Sequence, residues 1–111
     1  MIERAVENVL ENALRYTPAG GRISISIRPR DETLTIDIRD TGPGIEAGEL
    51  EHIFDRFYRA APSTDVEPTR GAGLGLAIAR RAVELHGGIL QCESQLGEGT
   101  TFRFELPAVV G

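Results

Sequence analysis

Thr69 to Gly88 reads TRGAGLGLAIARRAVELHGG. A polar stretch ends in Gly71, Gly73 and Gly75, and apolar residues then recur at helical spacing. Glycines let backbone pass close to a bulky anion. A helix start adds unpaired N–H groups and the positive end of the helix dipole. The pattern predicts a phosphate cradle opening a helix from Leu74 to His86, with Leu74, Ile78, Ala82 and Leu85 on one face and Gly87-Gly88 as its cap. A glycine run alone carries little weight, so its rivals matter. A dinucleotide fold needs a strand directly before the glycines, and here a polar loop precedes them. The Walker pattern needs Gly-Lys-Ser/Thr, and the chain contains no Lys.

Working outward, residues 2–16 predict an amphipathic helix, with Ile2, Ala5, Val6, Val9, Leu10 and Ala13 at helical spacing. Thr17-Pro18-Ala19-Gly20-Gly21 stops it. Ile23, Ile25 and Ile27 alternate with polar residues as one strand, and Leu34, Ile36 and Ile38 as another that ends at Asp40. Pro29-Arg30-Asp31-Glu32 is the turn between them. Residues 47–57 predict a short helix ending in two phenylalanines. From about Arg59 to Arg70 the chain is polar and reads as a mobile loop, since little in it can be buried. Two further strands fall at about 89–95 and 100–106, joined by Gly97-Glu98-Gly99. Strands in adjacent pairs predict antiparallel hairpins. Helices over one face then give an α/β two-layer sandwich.

The 111 residues make one domain at most, and 41% apolar content suffices for a core. No apolar run approaches the roughly 18 to 20 residues that cross a bilayer, and no signal peptide precedes the first helix, so the chain is expected to be soluble. Cys92 is the single cysteine, which excludes an internal disulfide and suits a packing role in a reducing compartment. A net charge of −5 argues against a general nucleic-acid binder. All twelve basic residues are Arg, which reads as compositional bias.

Asn8 and Asn12 project from one face of the first helix, on the flank of its apolar stripe, with Arg15 and Tyr16 beside them. Amides, a guanidinium and a ring on one rim suit a metal–phosphate group next to a base. A solvated helix face with a C-terminal Arg explains them equally. Asp40 stands where a strand gives way to Gly42-Pro43-Gly44. It can accept a hydrogen bond from an exocyclic amine such as that of adenine, or simply serve an Asx-type turn. His52 and His86 lack metal-ligand neighbours, and no serine sits in a nucleophile-elbow pattern.

Taken in order, these segments resemble the catalytic ATP-binding domain of bacterial sensor histidine kinases. That domain is part of the gyrase/Hsp90/histidine-kinase/MutL superfamily and has the Bergerat fold. ENVLENALRYTP is similar to the family's asparagine box, DTGPGI to its first glycine box and IFDRFYRA to its phenylalanine box. RGAGLGLAI with HGG is similar to the second glycine box, and GEGTTFRFELP to the final glycine-Thr strand. The resemblance covers nearly the whole chain and implies a mixed, largely antiparallel sheet, N-terminally truncated, in a single domain with a lid at about 59–73.

Roles follow by position. Asn12 would ligate Mg²⁺ with Asn8 as a second contact, Arg15 would meet the phosphates and Tyr16 would pack on adenine. Asp40 would hold the adenine amino group, with Gly42, Gly44 and Ile45 shaping the floor. Phe54 and Phe57 would anchor the lid, with Tyr58 contacting nucleotide and Arg59 reaching the γ-phosphate. Gly71, Gly73, Leu74, Gly75 and Leu76 would wrap the phosphates, and Thr101 would lie near the adenine end. Asn12, Arg15 and Arg59 would be the catalytic set.

The hydrolysing superfamily members carry Glu four residues before the metal Asn. Asn8 stands there and cannot act as a base, so the resemblance implies transfer to a protein rather than hydrolysis. The expected acceptor is a histidine in a separate helical-hairpin domain, which this chain lacks. The phosphoryl group would then pass to a response regulator, within a cytoplasmic part of an inner-membrane sensor kinase. A nucleotide-binding interaction module without transfer, and an ATP-hydrolysing clamp, are the alternatives.

Overall fold

The structure is a computed structural model that describes residues 2–55 and 75–107. Phe57, Tyr58, Arg59, Gly71, Gly73, Leu74 and the expected lid lie outside the described residues.

Helix α1 spans Ile2–Tyr16 and buries Ala5, Val9 and Ala13, the spine of its apolar stripe. Pro18 has no N–H to extend it and pushes Thr17 out of helical geometry. The last turn closes with the Thr17 N–H donating to Ala13 O at 3.0 Å. Strands β1 (Ile23–Arg30) and β2 (Thr33–Asp40) form a hairpin. Its turn puts Asp31 at φ 54°, a left-handed conformation that short polar side chains tolerate.

The next segment corrects an expectation. Helix α2 covers only Ala47–Leu50, not residues 47–57. Gly48 weakens it, and Glu46 gives no side-chain cap. The chain continues as tight turns in which the His52 N–H reaches Glu49 O and the Asp55 N–H reaches His52 O, each at 2.9 Å. Such three-residue spacing is what remains when a short helix fails to propagate.

Helix α3 spans Gly75–Leu85. Its end is closed by Gly87 N–H on Glu84 O and Gly88 N–H on Val83 O, both 2.9 Å. The expected apolar face is rotated. Ala79, Ala82 and Val83 are buried, whereas Ile78 is 50% and Leu85 57% exposed. The helix presents its small residues to α1 and the sheet, because the sheet's phenylalanines already fill the volume that larger side chains would need.

Strands β3 (Ile89–Gln95) and β4 (Gly99–Pro107) form the second hairpin. β2 and β4 pair antiparallel, giving one sheet in the order β1-β2-β4-β3. Period-two alternation then sorts the faces. Ile36 opposes Phe104 and Ile38 opposes Phe102 on the helix-covered side. With Val9 and Val83, Ile38 and the two phenylalanines are the largest fully buried side chains. Phe54 packs edge-on against Phe102, with ring centroids 6.2 Å apart, and the Arg80 guanidinium lies 5.2 Å from the Phe54 ring centroid. The other face is polar. There Asp37 bridges Arg28 at 2.7 Å and Arg103 at 2.8 Å.

The helices cover β2, β4 and β3 more fully than β1, whose Ile27 remains 61% exposed. Burial therefore sets the cost of the same substitution at two positions. Ile38→Val is expected to lower unfolding free energy by about 1 kcal/mol in a urea titration. Ile27→Val is expected to stay within about 0.5 kcal/mol of the parent in the same assay.

Candidate functional site

At the end of β2, Asp40 is buried, at 5% exposure. A carboxylate taken from water needs donors. Oδ1 accepts the Gly42 N–H at 2.8 Å, and the Thr100 backbone N–H also bonds the carboxylate. Burial pushes the Asp40 pKa up, and these two N–H groups pull it back only in part, so it stays above the ordinary Asp value.

The loop after Asp40 is held from both sides. On one side, Thr41 N–H donates to Arg22 O at 3.1 Å and Arg22 N–H to Thr41 Oγ1 at 2.8 Å. On the other, Gly97 N–H donates to Pro43 O at 2.8 Å and Ile45 N–H to Ser94 Oγ at 2.7 Å. Two glycines make this closure sterically possible. Gly44 has φ 81°, and a Cβ there would strike Gln95 O; Gly99 has φ 105°, and a Cβ there would strike Asp40 O.

Helix α1 connects this loop to the start of α3. A Cβ on Gly42 would lie 2.9 Å from Tyr16 O, so the end of α1 abuts the Asp40 turn. About two turns earlier in α1, Asn8 Nδ2 donates to Gly75 O at 3.3 Å, tying α1 to the start of α3. Asn12, Arg15 and Tyr16 are half-buried along the same helix. Ile45 and Leu76 are partly buried against the core. The structure thus brings Asn8 to Gly75, Tyr16 to Gly42 and Ile45 to Ser94.

Thr101 is not beside Asp40. Thr100 opposes Asp40 in the β2–β4 register and is buried on the same face, whereas Thr101 opposes Arg39 on the outer face. Strand parity carried this signal, since Phe102 and Phe104 must face inward and Thr100 shares their parity. Ser94 also escaped the sequence reading. Its Oγ lies 2.8 Å from both Gly99 O and Thr100 Oγ1 across the β3–β4 hairpin, and its third partner, Ile45 N–H, is 49 residues away, so no local motif announces the set.

The remaining candidates are structural. His52 pairs with Asp55 at 3.0 Å, and His86 Nδ1 donates to Ala82 O at 2.9 Å. Burial, then the Asp40 and Glu93 carboxylates, push the Cys92 thiol up to about 12, so it is protonated and unreactive at neutral pH. Among the described residues no group of three or more His, Cys, Asp or Glu is placed to hold a metal, and no helix is long and apolar enough to cross a membrane.

Residues 1–110 match the model of the histidine kinase-, DNA gyrase B-, and HSP90-like ATPase family. The chain belongs to that family. It is 44% identical over 104 residues to the sensor histidine kinase RppB of Synechocystis, covering 94% of this chain and 23% of that protein. It is 43% identical over 111 residues to the sensor histidine kinase WalK of Bacillus subtilis, covering 96% and 18%. In three dimensions it resembles the mycobacterial sensor histidine kinase MprB with a TM-score of 0.81 at 38% identity, covering 94% of this chain and 70% of that one. It also resembles full-length ShkA in complex with AMPPNP, at TM-score 0.80 and 32% identity, over 96% of this chain and 21% of that one. The chain is therefore a histidine-kinase-like ATPase domain and spans about a fifth of the length of these curated relatives.

Asp40 gives the ATPase domain a distinctive pH signature. Because its folded pKa is raised from 3.8, its contribution to stability is fully present below that value and is lost as pH rises through the folded pKa. Asp40→Asn lacks this loss. The unfolding free energy of the variant minus that of the parent should therefore increase as pH rises from about 4 and level off above the raised pKa. Urea titrations of both chains across that range check the sign.

Proposed function

We propose that the chain binds Mg²⁺–ATP and presents its γ-phosphoryl group to a histidine on a separate helical-hairpin domain, from which it passes to a response regulator. The observation that carries this reading is the buried Asp40 carboxylate, held by two backbone N–H groups at the mouth of a loop that the end of α1 abuts. A charge kept there against its desolvation cost is a functional-site signature. The ATPase family match and the AMPPNP complex of ShkA support a nucleotide as the occupant.

In this reading Asp40 accepts from the adenine amino group, and Gly42, Gly44 and Ile45 shape the floor. Tyr16 packs on the base, and Thr100 takes the place expected of Thr101. Arg15 and Arg59 meet the phosphates, with Tyr58 beside them. Gly75 and Leu76, at the start of α3, would wrap the phosphates together with Gly71, Gly73 and Leu74.

Asn8 donates through Nδ2 to Gly75 O, which leaves its amide oxygen as an acceptor one helical turn from Asn12. One or two amide oxygens suit Mg²⁺ held mainly by phosphate and water. When bound, the ion would neutralise charge on the phosphates. The protein's own part is positioning. The bond from the β,γ-bridging oxygen to the γ-phosphorus breaks, a bond from that phosphorus to the acceptor imidazole nitrogen forms, the imidazole proton leaves to solvent, and ADP departs. The Asn8 amide cannot act as a general base toward water, which favours transfer over hydrolysis.

Calorimetric titration with Mg²⁺–ADP is expected to show binding that Asp40→Asn weakens by more than about 1 kcal/mol, the scale of a charge-assisted hydrogen bond. Adding a hairpin acceptor domain with γ-labelled ATP should give acid-labile label on that domain. Steady phosphate release by the chain alone would instead identify an ATP-hydrolysing clamp. Binding without transfer to any acceptor would identify a sensing module.

A further inference from the structure

We propose that Ser94 is a positioning residue that fixes the Thr100 hydroxyl as a pure acceptor beside Asp40, and so makes the site prefer adenine over a purine with oxygen at the same carbon. The proposal rests on the reading of Asp40 as the base contact and assigns the residue that sets its selectivity.

The number of protons on Ser94 Oγ decides which hydroxyl donates. A serine hydroxyl has one proton and two lone pairs. Ile45 N–H donates to Ser94 Oγ at 2.7 Å and occupies one lone pair. Gly99 O, 2.8 Å away, can only accept, so it takes the Ser94 proton. Thr100 Oγ1 is also 2.8 Å away, and Ser94 has no second proton to offer it. Thr100 must therefore donate, into the last lone pair of Ser94. Its own proton is then committed, and only lone pairs remain for a ligand.

Thr100 opposes Asp40 on the inward face, and its N–H bonds the Asp40 carboxylate. The site thus offers a carboxylate and an acceptor-only hydroxyl side by side. The adenine amino group carries two N–H donors and suits both. The oxygen of hypoxanthine carries lone pairs and meets lone pairs. Sites built on buried, committed hydrogen-bond partners discriminate more sharply than apolar ones. Without the Ser94 hydroxyl, the Thr100 proton is free to turn and donate to that oxygen.

The test is the ratio of ADP to inosine diphosphate dissociation constants, by calorimetry, for the parent chain, Ser94→Ala, Ser94→Thr, Thr100→Val and the Ser94→Ala/Thr100→Val pair. Ser94→Ala should narrow the preference for ADP by about five- to tenfold, the worth of one hydrogen bond. Ser94→Thr, which keeps the hydroxyl, should retain it. Thr100→Val should narrow the preference with Ser94 intact, and adding Ser94→Ala to it should change nothing further. An equal loss of affinity for both nucleotides in Ser94→Ala would make Ser94 a fold support only and overturn the proposal. So would an unchanged ratio in Thr100→Val, a variant that keeps the other two Ser94 bonds. A parent chain without preference, or a preference that Asp40→Asn leaves intact, would remove the base-contact reading first and this proposal with it.

Discussion

Burying the Asp40 carboxylate constrains much of this molecule. A charge in that position is costly unless donors are fixed around it. The donors are backbone N–H groups from Gly42 and Thr100, so the turn after β2 and the β2–β4 register must both be exact to within hydrogen-bond tolerance. That requirement explains the absence of a Cβ at Gly99, where the start of β4 crosses Asp40 O, and at Gly44, where the loop crosses Gln95 O. It also explains why the loop is tied to β1 through Arg22 and to the β3–β4 turn through Gly97. The raised Asp40 pKa shows that these donors do not fully offset desolvation. Stability is given up at this point.

The core supplies the rigidity. Between α1 and α3 the contact surfaces are small: Ala5, Val9 and Ala13 on one helix, Ala79, Ala82 and Val83 on the other. Small residues let both helices settle close to Phe102 and Phe104. The same close approach brings Asn8 within 3.3 Å of Gly75 O. The flank of α1 that carries Asn8, Asn12 and Arg15 is therefore positioned by the packing of its neighbouring apolar face. A core substitution that separates the helices would disturb the start of α3 without touching it.

Much of this was legible in sequence. Alternation located β1 and β2 and ended β2 at Asp40, but β1 runs on through Pro29 and Arg30, which the sequence assigns to the turn and which pair with Leu34 and Thr33. Helix α1 matched residue for residue, because a strong stripe is bounded by a proline. The errors have physical causes. Hydrophobicity ranks Ile78 and Leu85 above Ala79, but the sheet's phenylalanines leave room only for the smaller side chain. Helix α2 was overextended because its apolar end is used in tight turns around Ile53 and Phe54 rather than in a helix. Thr101 is a different case: strand parity puts Thr100 rather than Thr101 on the face of Asp40, and the proposed function assigns the adenine end accordingly. Ser94 was illegible for a deeper reason. Its meaning lies in three partners that only the folded sheet brings to one oxygen.

Ser94 and Asp40 show two ways of making a polar site specific. Asp40 does so by charge, and the cost appears in its pKa. Ser94 does so by exhausting its hydrogen-bonding capacity, so that its neighbour has no freedom left. The second way carries little desolvation cost, because each buried polar atom involved is paired. It also links two separate parts of the chain, since the oxygen that commits Thr100 is the one that holds Ile45 at the far end of the Asp40 loop. Loop position and hydroxyl direction thus meet at one oxygen without controlling each other. A loop displaced enough to free Ile45 N–H opens a lone pair on Ser94, but the Ser94 proton stays on Gly99 O and Thr100 still donates to Ser94. Under the proposed function, the geometry that orients the nucleotide and the chemistry that recognises it are set by one serine.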